Sequence, residues 1–384
     1  MKITNVDTIR FKTTSPYRAA ERWIGVVREP TETVQTITKI ETDEGAEGYM
    51  IGGDKATNER YIKPLIIGEN PLDREKIWNW MDQLCTNRGL SWNVSEMHVS
   101  AVDCALWDLY GRMVGLPVHK LLGGCRNKVK AYASSADHIG TPEDYAKQAV
   151  SCKKQGYKAY KIHPYVSWNP YTMEPAPLLP AFPKEDVDIC KAVRKAVGDD
   201  MVLLLDNHGG YSYEEALWVG RELEKLDFYW LECPMLETRI EAYRRLSGEL
   251  RIAVLAPECA PGGVFSRAEW VRQEASDMLR TDWKFGGITG MYKLMSICQA
   301  YGIKCEVHGG GWANIQILGA MPEATCEYYE RGLLQPGTDY DIPVPYLKTI
   351  CDPMDGDGNV ILPTTAGLGM EFNWDYIKGN IVKP

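Results

Sequence analysis

The sequence predicts an α/β fold built on a (β/α) barrel, preceded by a separate α+β region. Three observations carry this. After Gly123-Gly124, short apolar strand patterns alternate with amphipathic helix patterns along most of the chain. Before them, antiparallel strand patterns are followed by helix patterns. From about Gly332 the alternation stops and a Pro/Gly-rich segment of irregular β character begins.

Composition narrows the class. The 384 residues leave room for one large domain or two medium ones. With 45% hydrophobic and 25% charged residues, the chain is neither disordered, collagen-like nor a coiled coil. A net charge of −9 argues against nucleic-acid and anionic-membrane partners. No run approaches the ~18 apolar residues of a membrane helix, and Met1–Asp7 has no signal-peptide core. The eleven cysteines form no Cys-x-x-Cys pair, so reduced, buried thiols and a cytoplasmic location are expected. Asn93-Val94-Ser95 matches a glycosylation sequon, without consequence in an unsecreted chain.

The elements follow in order. Ile9 and Phe11 alternate with polar neighbours, and Val34–Ile40 is rich in β-branched residues, so both are strands. Asp43-Glu44-Gly45 supplies a hairpin turn. Ala105, Leu106, Leu109 and Met113 continue a helical spacing from Val102, which Gly115 and Pro117 stop. Barrel strands are then expected at Val129–Ala133, Tyr160–Ile162, Met201–Leu205, Phe228–Leu231, Ile252–Ala256, Met278–Arg280 and Ile303–Val307. After the third strand, Ser212 and Glu215 form a capping box ahead of an Ala216, Val219, Leu223, Leu226 stripe.

The strand ends carry the chemistry. Asp206, Glu232, Glu258, Asp282 and His308 close the third to seventh strands at intervals of 26, 26, 24 and 26 residues. One βα unit separates each from the next, and all barrel strands end on one face, where active sites lie. One strand-end acid alone would be read as a helix cap. Three carboxylates, Asp206, Glu232 and Glu258, cannot all stay ionised at close range without a cation. Hard oxygen donors without Cys or His suit Mg²⁺. Asp282 beside His308 fixes an imidazole tautomer and raises its basicity, which makes His308 a general base.

Further groups face the same site. Lys161 and His163 are two apart on the second strand and share its inner face. His208 shares the face of Asp206 and is placed to protonate a leaving group. Glu327 is expected at the end of an eighth strand, with Glu330 the competing choice. Gly286–Gly290 is compatible with anion binding and equally with tight packing. Asp352–Asn359 superficially matches a Ca²⁺ loop, but its twelfth position is Pro363 rather than Glu, so it is read as a turn. No dinucleotide, P-loop, nucleophile-elbow or zinc-protease motif occurs.

These residues together resemble the enolase superfamily, specifically its mandelate racemase-like subgroup (the mandelate racemase/muconate lactonizing enzyme family). The resemblance rests on Thr42–Gly45, Asp103–Asp108, Lys161-Ile162-His163, Asp206-Asn207-His208, Trp230–Pro234, Pro257-Glu258-Cys259, Thr281-Asp282 with Lys284–Thr289, and His308. It implies a modified TIM barrel, (β/α)7β, over residues 126–331. An α+β capping domain at 1–125 would cover its mouth, completed by the C-terminal segment 332–384. It also implies Mg²⁺ on Asp206, Glu232 and Glu258, a His308–Asp282 dyad, and a homo-oligomer, often an octamer. Cap loops around Pro16–Trp23 and Ile51–Gly53 would close on the substrate.

The resemblance also has a departure. Racemases of the subgroup carry Lys-x-Lys on the second strand, where this chain has Lys161 and His163. Asp-x-His, here Asp206 and His208, is similar to the subgroup's sugar-acid dehydratases, galactonate dehydratase among them. The expectation is a Mg²⁺-dependent dehydratase of an aldonic or aldaric acid. His308 takes the α-proton, Mg²⁺ and Lys161 stabilise the enediolate, and His208 helps the β-hydroxyl leave, giving a 2-keto-3-deoxy acid. The alternative is a racemase or epimerase of an α-hydroxy acid, passing a proton between His308 and His163. Substrate choice is expected in the aromatic, proline-rich insertion Tyr165–Pro183.

Overall fold

The computed structural model describes the chain except residues 15–18, 22–25, 29, 87–93, 177–179 and 383–384. Most of the Pro16–Trp23 loop, Asn93 of the sequon and part of the Tyr165–Pro183 insertion therefore lie outside the described residues.

A three-stranded antiparallel sheet, Ile3–Thr14, Glu32–Thr42 and Glu47–Ile51, opens the chain. The hairpin turns at Gly45, whose φ of 79° suits a residue without Cβ. Val6 and Ile40, paired across the strands, are buried on one face, and Phe11 and Ile37 are buried on the other. A helix at Glu96–Val114 lies against that sheet, and the approach is close. A Cβ on Gly48 would stand 2.2 Å from the Ala105 carbonyl oxygen. The helix begins at a Ser95 capping box and stops at Gly115 in the left-handed region (φ 70°).

Eight parallel strands follow: Lys128–Ser135, Ala159–Ile162, Val202–Asp206, Trp230–Glu232, Ala253–Leu255, Met278–Thr281, Lys304–Val307 and Tyr328–Leu334. In barrel numbering their order is 7-6-5-4-3-2-1-8, each strand pairing with its neighbour in sequence except the eighth, which pairs with the first. The seventh and eighth meet through a side chain. Glu306 is fully buried and accepts from the backbone N–H groups of Glu327 (2.8 Å) and Tyr328 (3.0 Å). Cys305 N–H reaches the Thr325 carbonyl at 2.7 Å beside it. Seven helices separate the eight strands on the outside, the (β/α)7β arrangement.

The barrel interior is layered. Its N-terminal end is plugged by Tyr132, Leu204, Trp230, Leu255 and Tyr328, with the aromatic rings edge to face at 5.7–6.3 Å. Two places on from Tyr132, Leu204, Trp230 and Tyr328 stand Ser134, Asp206, Glu232 and Glu330, so the floor is apolar and the mouth is charged.

The C-terminal segment returns to the first sheet. Val382 N–H bonds the Arg10 carbonyl at 2.8 Å, Lys12 N–H bonds that of Asn380 at 2.9 Å, and Tyr346 stacks edge-on to Phe11. Asp352–Asn359 closes as a turn, with Asp355 accepting from the N–H groups of Asp357 and Asn359. No helix among the described residues is long and apolar enough to cross a membrane, and all eleven thiols are free.

One buried carboxylate joins three parts of the chain. Asp108, in the helix at 96–114, accepts from Tyr49 N–H in the sheet (2.9 Å) and Leu368 N–H in the tail (2.7 Å), and pairs with Arg112. Asp108→Ala leaves two buried N–H groups unpaired at about 1–3 kcal/mol each. The expected loss is therefore about 2–5 kcal/mol, read as a lower urea midpoint at unchanged slope.

Candidate active site

At the charged layer, five strands project ionisable groups into one volume. Lys161 is completely buried, with its Nζ 3.1 Å from both carboxylate oxygens of Glu232, 2.9 Å from Glu330 and 3.5 Å from Asp206. Burial alone would lower its pKa, but Glu232 and Glu330 outweigh it and hold the ammonium well above its usual range. Arg280, also fully buried, reaches Glu232 (2.9 Å), Glu330 (2.7 Å) and the Tyr132 hydroxyl (2.8 Å).

Asp206, Glu232 and Glu258 each bring a carboxylate oxygen within 4.8 Å of the others. All three are buried. Burial pushes Glu232 up to about 7 against the pull of Arg280 and Lys161, and with Glu330 these acids outnumber the two fixed cations. Asp206 moves the other way, because His208 and Lys161 overcome its burial. A buried, oxygen-only triad with charge still to be compensated fits a hard divalent cation.

The dyad lies beside it. His308 Nδ1 is 2.9 Å from Asp282 Oδ2, and its Nε2 points to Glu258 Oε1 at 3.1 Å. Burial lowers the imidazole pKa, but Glu258 and Asp282 together raise it above its ordinary value. Asp282 is held low despite burial by its bond to His308.

The third strand supplies the opposite wall. His208 sits in the left-handed region (φ 55°) and stacks on His163 at 4.8 Å with planes 3° apart. Its Nε2 lies 3.5 Å from Asp137, in the loop after the first strand. His163 Nε2 meets Asp206 at 3.1 Å, and its Nδ1 meets the Ser135 carbonyl at 2.7 Å. Both of its ring nitrogens are thereby engaged.

Glu327 requires a correction. The eighth strand starts at Tyr328, so Glu327 precedes it at the N-terminal end of the barrel. There it pairs with Lys304 and accepts from the Tyr229 hydroxyl. Tyr328 points inward, and alternation brings Glu330 inward one layer higher, against Lys161 and Arg280. The competing choice, Glu330, is the one within the cluster.

Sequence reasoning missed other members. Arg280 was visible as a charge inside an apolar strand, two before Asp282. Asp137 carries no local signal, because its partner lies on another βα unit. Glu237 is also hidden by distance: its carboxylate accepts from the backbone N–H groups of Glu258 and Cys259, and so fixes the loop that carries Glu258. Gly286–Gly290 is explained by packing, since a Cβ on Gly287 would stand 2.3 Å from Asp103. Asp103 instead caps the segment through Thr289 N–H and Oγ1.

A cavity of 1080 Å³ opens above the cluster, lined by His208, Glu258 and His308 on the barrel and by Tyr165, Trp168 and Phe182 from the insertion. The Ile51–Gly53 loop of the cap reaches the same end, where a Cβ on Gly52 would stand 3.3 Å from Trp283.

Comparison with known proteins agrees with this architecture. Residues 144–376 match the Enolase C-terminal domain-like family, and residues 23–123 match the Mandelate racemase / muconate lactonizing enzyme N-terminal domain. Arabinonate dehydratase of Saccharolobus solfataricus is 30% identical over 327 residues, covering 80% of this chain and 82% of the relative. L-Ala-D/L-Glu epimerase of Clostridium acetobutylicum is 28% identical, covering 93% and 94%. The crystal structure of D-glucarate dehydratase from Agrobacterium tumefaciens, complexed with magnesium, superposes with a TM-score of 0.92 at 38% identity over the full length of both chains. With both domains matched, a barrel of eight parallel strands and a carboxylate triad at its mouth, the chain belongs to the mandelate racemase/muconate lactonizing enzyme family of the enolase superfamily.

Proposed function

We propose that the protein is a Mg²⁺-dependent dehydratase of a sugar acid. One observation carries this reading: the third and seventh strands stand four places apart in a ring of eight, so His208 and His308 face each other across the barrel. One side takes a proton and the other gives one, as loss of water from adjacent carbons requires.

Asp206, Glu232 and Glu258 would hold the cation, and a divalent cation there supplies Lewis-acid stabilisation of negative charge on the substrate carboxylate. His308, oriented through Nδ1 by Asp282, accepts the α-proton at Nε2. Lys161 keeps its ammonium charged beside the triad, where the developing charge needs a fixed positive neighbour. His208 delivers a proton to the β-hydroxyl, which is otherwise a poor leaving group at neutral pH. The enol that remains tautomerises to a 2-keto-3-deoxy acid. The relatives named as arabinonate and D-glucarate dehydratases support this substrate class.

An epimerase relative keeps 1,1-proton transfer in view. That chemistry needs a second base that faces the cavity opposite His308. His163 is fully buried, stacked on His208, and is not among the residues lining the cavity, which favours dehydration.

Proton NMR in D₂O with Mg²⁺ tests the reading against D-glucarate, D-arabinonate and their stereoisomers. A new 2-keto-3-deoxy spectrum, abolished by chelator, is expected. Deuterium at the α-carbon without loss of water would instead favour the epimerase.

His308→Asn is expected to cut α-proton exchange and dehydration together, by about 10²–10⁴-fold. In His208→Asn, exchange survives while dehydration falls. A His308→Asn enzyme that still exchanges would remove His308 as the base.

Mg²⁺ is expected to raise the thermal unfolding temperature. A single site at 100 times its Kd contributes about 2.7 kcal/mol. Glu232→Gln should need at least about tenfold more Mg²⁺ for the same rise, because one of three charged donors is lost. An identical titration in that variant would place the cation elsewhere.

A further inference from the structure

We propose that Asn207 determines specificity, its side-chain amide holding a hydroxyl of the substrate chain beyond the carbon that loses water. The inference rests on the sugar-acid reading and goes beyond it to the part of the substrate that takes no part in the reaction.

Asn207 lies between Asp206 and His208, on the wall from which the leaving group is protonated. It is 4% exposed and lines the cavity. Neither Oδ1 nor Nδ2 has a hydrogen-bond partner in the protein. Buried amides are ordinarily paired, because an unmatched donor and acceptor out of water are both costly. Packing does not explain this residue either, since an amide in that wall gains nothing over an apolar side chain of the same size.

The chemistry of the vacant pair identifies its ligand. An amide offers one acceptor and a two-hydrogen donor, and a hydroxyl is the small group that uses both. A carboxylate would leave Oδ1 facing another acceptor, and an ammonium would leave Nδ2 facing another donor. Trp168 Nε1, from the insertion, lines the same cavity and also lacks a partner, adding a second neutral donor. No Lys or Arg is among the described residues lining it. The wall is therefore built to read an uncharged polyhydroxy chain, and not only the acid end bound at the triad.

The test uses equilibrium binding in saturating Mg²⁺, with His308→Asn as the non-reacting parent and Asn207→Leu added to it. The long probe is the acid turned over fastest in the D₂O panel, or D-glucarate if none reacts. The short probe is D-glycerate, whose chain ends at the β-carbon. Calorimetry is expected to show the long acid bound about 10- to 100-fold more weakly by the double variant, with D-glycerate bound equally by both. In the otherwise native enzyme, Asn207→Leu should lose kcat/KM on the long acid mainly through KM.

Equal weakening of both acids would make Asn207 merely structural. Unchanged affinity for the long acid would mean that water alone satisfies the amide. Binding of neither acid by the parent would also overturn the proposal. The two readings fail separately, because the NMR panel judges dehydration and these affinities judge Asn207.

Discussion

The arrangement of this protein depends on the cost of burying charge. Lys161 and Arg280 sit in the barrel with essentially no solvent, against Glu232, Glu330 and Asp206. Taking any of these ions out of water alone costs several kcal/mol. They persist because each cation meets at least two carboxylates and each of these carboxylates at least one cation. The acids still outnumber the cations once Glu258 is included. The remaining negative charge is what a divalent cation held by Asp206, Glu232 and Glu258 would offset. Stability and chemistry share one cause here, because the groups that neutralise the core are those that would steady a negative charge on a substrate.

The barrel makes that cluster possible. Each strand contributes one or two inward residues at the same height, and its neighbour lies one βα unit away in sequence. Aromatic packing at the N-terminal end closes the barrel floor, and two of its polar atoms face upward into the charged layer: the Tyr132 hydroxyl to Arg280 and the Trp230 indole N–H to Glu232. The cap and the C-terminal segment are tied to each other through Asp108 and the Phe11–Tyr346 contact. That unit is also bonded to the barrel, through Asp103 and Trp107 to Thr289 and through Ser100 to Gly286 and Gly287.

Much of this was legible because it is periodic. The interval of 24 to 26 residues between strand-end acids records the length of a βα unit, so Asp206, Glu232, Glu258, Asp282 and His308 could be placed on one face before any coordinates. Lys161 and His163 followed from alternation within one strand. Glu327 failed where periodicity is weakest. The eighth strand has no helix after it to mark its end, so the sequence pattern places that end at Glu327, one residue before the strand in fact begins at Tyr328. Asp137 and Glu237 were hidden for another reason. Their meaning depends on contacts between loops of different units, and no spacing within the chain encodes those.

His163 stands two places after Lys161, beside a layer whose acids outnumber Lys161 and Arg280. Burial lowers the His163 pKa against the pull of Asp206. Its Nδ1 lies 2.7 Å from the Ser135 carbonyl and its ring stacks flat on His208, which fixes the plane of that ring. Under the dehydratase reading proposed above, that contact steadies the ring that would send the β-hydroxyl away.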